Sequence, residues 1–335
     1  MARIQDVAAR AKVSKATVSY VFSPQKSALI SPETRQKVLE AARELDYKPS
    51  FIAKALSKQR AYNVALVLPE RSAQSMSVHL LHLFHGILQL AEKSEYVVST
   101  FFGVNERFIA RVEDRRFDGI IVIGLSSDRA CLDKLAALKL PTVVLNREYP
   151  AAEYISCVCS DLKGWLLNES ERLLSEGCRR ILLLNKGLYT DAGKVLDAAL
   201  SEAQKIFARY DNAFLECADT DRGSGVHGLL QKLFRKSRYD AVIINGASVS
   251  SAVLRSLPEF NLVPGKDIKL SGFAHNAADM EAGLIWQHNL TELNRCAWQM
   301  LEKMFAGSPG EFKLLPLIAY TAPTVDKAPL NGFDV

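Results

Sequence analysis

The chain has 335 residues and a formal net charge of +5. The charge is unevenly placed: twelve Lys or Arg stand against five Asp or Glu up to Arg60, and thirty against thirty-two beyond it, so a polyanion is the expected partner of the N-terminal end. No apolar run approaches the roughly twenty residues that span a bilayer, which excludes a transmembrane helix. No secretory segment precedes the first folded motif, so a cytoplasmic protein with no membrane partner is expected.

The first element is predicted from Ile4, where Ile4, Val7, Ala8 and Ala11 recur at helical spacing and give one inward apolar stripe. Ser14 stands where an N-cap belongs, opening a second short helix whose Val18 and Val21 point back at the first. Two short helices around a tight turn outline a helix-turn-helix DNA reader. Its outward face would carry Lys15, Ala16, Ser19 and Tyr20 toward base edges, with Ser14 and Thr17 suited to phosphates, which set register without reading sequence. Any small helical hairpin gives such a stripe, and the coincident positive charge favours DNA. Ser31, Pro32 and Glu33 then form a helix start, and a third helix through Val38, Leu39, Ala42 and Leu45 completes a small all-α headpiece, 1–48. A hinge segment, 49–61, follows, long enough for two helical turns and marginal alone in water.

From residue 62 strands and helices alternate. Apolar strands are predicted at 63–69, 119–124, 141–145, 180–184, 213–216, 241–244 and 268–272, separated by helices at 78–93, 130–138, 164–176, 193–207 and 226–235. Continuous apolar strands between amphipathic helices imply parallel sheets covered on both faces. About 275 residues exceed one comfortable core, so 62–325 reads as an α/β core of two doubly wound subdomains, with 326–335 a tail. The six cysteines show no metal-like pairing and are expected as reduced, small apolar residues. His79, His82 and His85 recur in steps of three, which drift around a helix, so no metal site is expected. There is no P-loop, G-x-S-x-G, H-E-x-x-H or G-x-G-x-x-G after a strand, so neither an enzyme nor a cofactor is expected.

The segments DVAARAKVSKATVSYVF, ISPETRQKVLEAARELDYKPS and FIAKALSKQRAYNVALVLP, in this order and spacing, resemble the headpiece and hinge of the lactose/galactose-repressor family of bacterial transcription regulators. The resemblance implies a homodimer on palindromic double-stranded operator DNA, with paired hinge helices in the minor groove. Ala53, Lys54 and Leu56 would touch DNA there, Leu56 as the apolar wedge between base pairs. It also implies a periplasmic-binding-protein-like core whose two lobes enclose a small effector, with the chain crossing between them near 152–161 and 276–289.

The chain departs from the family in several places. Lys12 replaces the glycine of the turn and Asp46 that of L-G-Y, while Ala192 and Ala274 stand where an arginine and an aspartate commonly grip sugar hydroxyls. His79, Asn146, Arg147, Asp161, Asn245 and His275 remain as candidate cleft residues, because they fall at strand ends and crossovers, where open α/β sheets bind ligands. With the two sugar partners gone, two expectations stay open: an effector with an anionic group, such as a phosphorylated or acidic sugar, or a cleft that has lost its ligand.

Overall fold

Local chemistry sets the headpiece elements. In this computed structural model, which describes residues 2–23, 26–48, 55–56, 58–70, 76–124, 129–185, 191–220, 225–273 and 283–321, α1 spans Ile4–Ala11. The backbone N–H of Arg3 donates to Asp6 Oδ2 at 2.7 Å, which puts a carboxylate at the positive end of that helix. The helix stops at Lys12, whose φ of 53° and ψ of 45° are left-handed. α2, Lys15–Val21, is opened by Ser14, whose Oγ accepts from the Thr17 N–H at 3.0 Å. α3, Pro32–Glu44, has Ser31 as its cap and proline in its first turn. Val7, Ala8, Val18, Val21, Val38, Ala41 and Ala42 form the small core of this unit.

The chain divides into two compact units, Met1–Tyr62 and Asn63–Val335. In the second unit, β1 (Asn63–Leu68), β2 (Val97–Phe102), β3 (Gly119–Ile123), β4 (Thr142–Leu145), β5 (Ile155–Ser160) and β11 (Phe312–Leu315) form one sheet in the order β11-β5-β4-β3-β1-β2. Its pairings are all parallel. β6 (Arg180–Asn185), β7 (Phe214–Asp219), β8 (Ala241–Asn245), β9 (Lys269–Phe273), β10 (Gly283–Gln287) and β12 (Ile318–Thr321) form the other, in the order β12-β10-β9-β8-β6-β7, with β12 alone antiparallel.

Both faces of each sheet are covered. In the first lobe Val64, Leu66 and Leu68 face one cluster with α4 (Val78–Lys93) and α11 (Leu290–Phe305), while Ala65 and Val67 face another with α5 (Glu106–Glu113) and α6 (Arg129–Ala137). The second lobe repeats this with α7 (Leu162–Ser175) and α8 (Asp191–Phe207) on one face and α9 (Gly225–Lys236) and α10 (Ala247–Ser256) on the other. Such two-sided burial produces continuous apolar strands rather than alternating ones.

The chain crosses between lobes at 161, again at 288–289, and a third time at 316–317, between β11 of one sheet and β12 of the other. The third crossing adds to the two expected from the sequence. β2, β10, β11, β12, α5, α10 and α11 are also additions. Among the described residues no helix is long and apolar enough to cross a membrane.

Candidate functional site

In the headpiece the exposed face of α2 carries Lys15, Ala16 and Ser19, with Thr17 and Tyr20 half-buried beside them. Val18 and Val21, on the opposite face, are 0% and 5% exposed, so the helix has only one way to turn outward. Ser14 is held by its cap, and its Oγ lies 2.9 Å from Thr17 Oγ1, so the two hydroxyls that would meet phosphate are already paired and oriented. The Tyr20 ring has the Lys26 ammonium 4.7 Å from its centroid, which limits its swing and adds a cation beside it. Arg10 and Glu44 bridge α1 to α3 at 2.7 Å. Beyond the headpiece Ala55 and Leu56 are helical, and Leu56 is an apolar side chain 80% exposed. Ala53 and Lys54 lie outside the described residues.

In the core the described candidates cluster at or just beyond the C-terminal ends of strands, Asn146 after β4, Asp161 after β5 and Asn245 at the end of β8. His79 sits in the first turn of α4, which is capped by Ser77. Asn146, just after β4, is left-handed at φ 58°, and its Nδ2 lies 2.9 Å from His79 Nε2. An amide Nδ2 can only donate, so His79 Nε2 accepts and its proton resides on Nδ1. His79 and Asn146, two separate candidates from the sequence, are thus hydrogen-bonded neighbours, and the structure adds a second ring. His288, at the second crossing, meets His79 edge to face at 4.7 Å between centroids and stacks on Phe273 at 5.0 Å. Its Nδ1 lies 2.7 Å from Ser160 Oγ, at the end of β5. Burial lowers the pKa of His79 to about 4 and that of His288 to about 3, and each is pushed down further by a histidine neighbour, His82 and His79 respectively.

The other candidates are placed differently. Asp161 caps α7, its Oδ1 accepting from the Gly164 N–H at 2.7 Å. Asn245 is 8% exposed and donates to Asn185 Oδ1 at 2.8 Å, while Asn185 donates to the Gly193 carbonyl. Arg147 is half-buried, and its carbonyl accepts from Cys157 Sγ. His275, like the alanine at 274, lies outside the described residues, as does the side chain at 192. Ser160, Phe273 and His288 escaped sequence reasoning. The signal for His288 was a histidine inside the predicted second crossing, next to an asparagine that opens α11. Among the described residues no group of three or more His, Cys, Asp or Glu could hold a metal ion.

A three-helix headpiece with an outward reading face, followed by two parallel α/β lobes that the chain crosses repeatedly, defines a class of ligand-controlled DNA-binding regulators. Residues 3–50 match the profile of the bacterial regulatory proteins of the lacI family. The chain is 23% identical over 282 residues to the HTH-type transcriptional regulator RegA of Clostridium saccharobutylicum, covering 82% of this chain and 83% of that protein. It is 25% identical over 285 residues to the HTH-type transcriptional repressor PurR of Salmonella paratyphi B, covering 82% and 80%. Its fold is similar to that of the lac repressor dimer bound to operator and the anti-inducer ONPF, with a TM-score of 0.69 at 19% identity over 96% of this chain and 98% of that one. The chain is a DNA-binding transcription regulator whose headpiece matches the lacI family.

Proposed function

We propose that the protein is a repressor that reads a pseudo-palindromic operator as a homodimer, with Lys15, Ala16, Ser19 and Tyr20 on base edges and Leu56 in the minor groove. The observation that carries this reading is the capped α2 with its polar side outward and Val18 and Val21 sealed inward. One such helix reads few base pairs, and two related by a two-fold axis read a palindrome. A second copy also has a surface to meet: β2 is an open sheet edge carrying exposed Val97 and Phe102, and α4 exposes Val78 and Leu81. The lac repressor similar in fold is a dimer on its operator. Selection of the full chain against random duplexes tests the proposal. A two-fold symmetric consensus is expected, and retention without any consensus would overturn it.

For the effector we infer a small polar molecule bound between the lobes. The neutral state of His79 and His288 near pH 7 leaves Arg147 as the one cation among the described candidates, which weighs against a strongly anionic ligand. The His79–His288–Phe273 contact supports the second reading, a cleft filled by its own side chains. A thermal-shift screen across neutral sugars, sugar phosphates, sugar acids and nucleobases separates the two. Stabilisation by one class identifies the effector chemistry, and stabilisation by none favours the filled cleft.

A further inference from the structure

The chain sets two of its six histidines against each other where its lobes meet. The row of rings is continuous. Trp286 lies 6.4 Å from Trp165, Trp165 lies 5.2 Å from Phe273, and Phe273 stacks on His288, which meets His79. Trp165 and Phe273 belong to the core of the second lobe, whereas His79 opens α4 of the first. His288 sits on the strand of chain that passes from β10 to α11, so the lobes touch through the same segment that connects them.

The groups facing the pair are uncharged on most sides. α4 presents His82 one turn beyond His79, the end of β4 presents the Asn146 amide, the end of β5 the Ser160 hydroxyl, and the end of β9 the Phe273 ring. The carboxylate next in sequence to Ser160, that of Asp161, is turned to the first turn of α7. Among the described residues the ionic influences on the pair are therefore histidines alone.

We propose that His79 and His288 form a proton-operated latch between the lobes: with both rings neutral the lobes hold together, and protonation drives them apart and opens the cleft. The inference needs only the lobe-to-lobe contact and stands apart from the DNA and effector readings. An imidazolium at either position would be desolvated, beside a second ring of the same tendency, with no acid among the described residues to receive it. Opening returns both rings to water, where they titrate near 6.5. The held state keeps its pKa values below that, at about 4 and about 3. The held state is thus fully favoured above about pH 6.5 and loses ground as pH falls below it, by about tenfold per histidine per pH unit, or about a hundredfold for the pair at pH 5.5.

Small-angle scattering of the full chain between about pH 7.5 and about pH 5, with ring NMR of the six histidines on the same samples, tests this. The radius of gyration should rise as pH falls, and His79→Gln and His288→Gln should each weaken the pH dependence, whereas His82→Gln should leave the expansion in place. Two ring signals should stay unprotonated until the expansion and then titrate with it. A radius unchanged across the range, or an expansion that both glutamine variants retain at the same midpoint, would overturn the latch. Should either variant fail to fold, the unsubstituted chain decides: two rings titrating together with the expansion support the proposal, and six rings titrating without expansion refute it.

Discussion

Lys12 holds φ 53° and ψ 45° between α1 and α2, a conformation that costs a residue with a Cβ about 1 kcal/mol and glycine almost nothing. Lys12→Gly should therefore slow amide hydrogen exchange in α1 and α2, after part of the gain is offset by the freer unfolded chain. Net stabilisation of about 0.5 kcal/mol is expected, and faster exchange would show that the lysine earns its place by another contact. On the reading face, Tyr20→Ala should alter preference at individual operator positions by about 1 to 3 kcal/mol, measured by binding selection before and after substitution. Leu56 is 80% exposed, so Leu56→Ala leaves no cavity and should not lower stability. It should reduce operator affinity and bending while leaving random-duplex binding, which is mostly electrostatic, nearly intact. Equal losses on both duplexes would make Leu56 an ordinary linker residue. The headpiece helices were legible in the sequence because caps and a short amphipathic stripe are set by residues within four positions of one another. The cleft was not, because His79 meets His288 only after both sheets have formed, and no periodicity marks two residues from distant elements as neighbours.

Among the elements, the central strands were the readable ones. β1, β3, β4, β6 and β8 are buried on both faces and run as unbroken apolar stretches. β2 lies at a sheet edge, where Ser99 and Thr100 interrupt the pattern, and the short β11 mixes Lys313 with apolar residues. Neither offers an apolar run against which to set a boundary. Strand spacing at the centre of the second sheet gives a sharp test. A Cβ on Gly272, in β9, would stand 2.5 Å from the Ile244 carbonyl oxygen of the neighbouring strand β8, a backbone atom that cannot step aside. Gly272→Ala should cost about 2 kcal/mol and lower Tm by about 5 °C in calorimetry, without a change in oligomeric state. An unchanged Tm would mean that β8 and β9 separate more easily than their pairing implies.

At the scale of the whole molecule, the open β2 edge and the exposed apolar side chains of α4 predict self-association. Sedimentation should give a dimer, and Leu81→Asp, at a position 47% exposed, should shift it toward monomer while leaving the fold intact by circular dichroism. A monomer in the unsubstituted chain at micromolar concentration would contradict this. The three crossings act on a different timetable, that of synthesis. The first lobe has five of its strands by Ser160, yet one of the two helices that cover one face of its sheet, α11 with its fully buried Leu293, Ala297 and Leu301, is encoded beyond residue 289. At about 5 to 20 residues per second, the ribosome needs on the order of ten seconds to deliver it. Through that interval Leu66, Leu68, Ile121 and Val143 have α4 but not α11 against their face, while all of the second lobe except β12 emerges. A nascent chain arrested anywhere between the first and second crossings should thus be a preferred client of holding chaperones, and release should follow once α11 clears the exit tunnel.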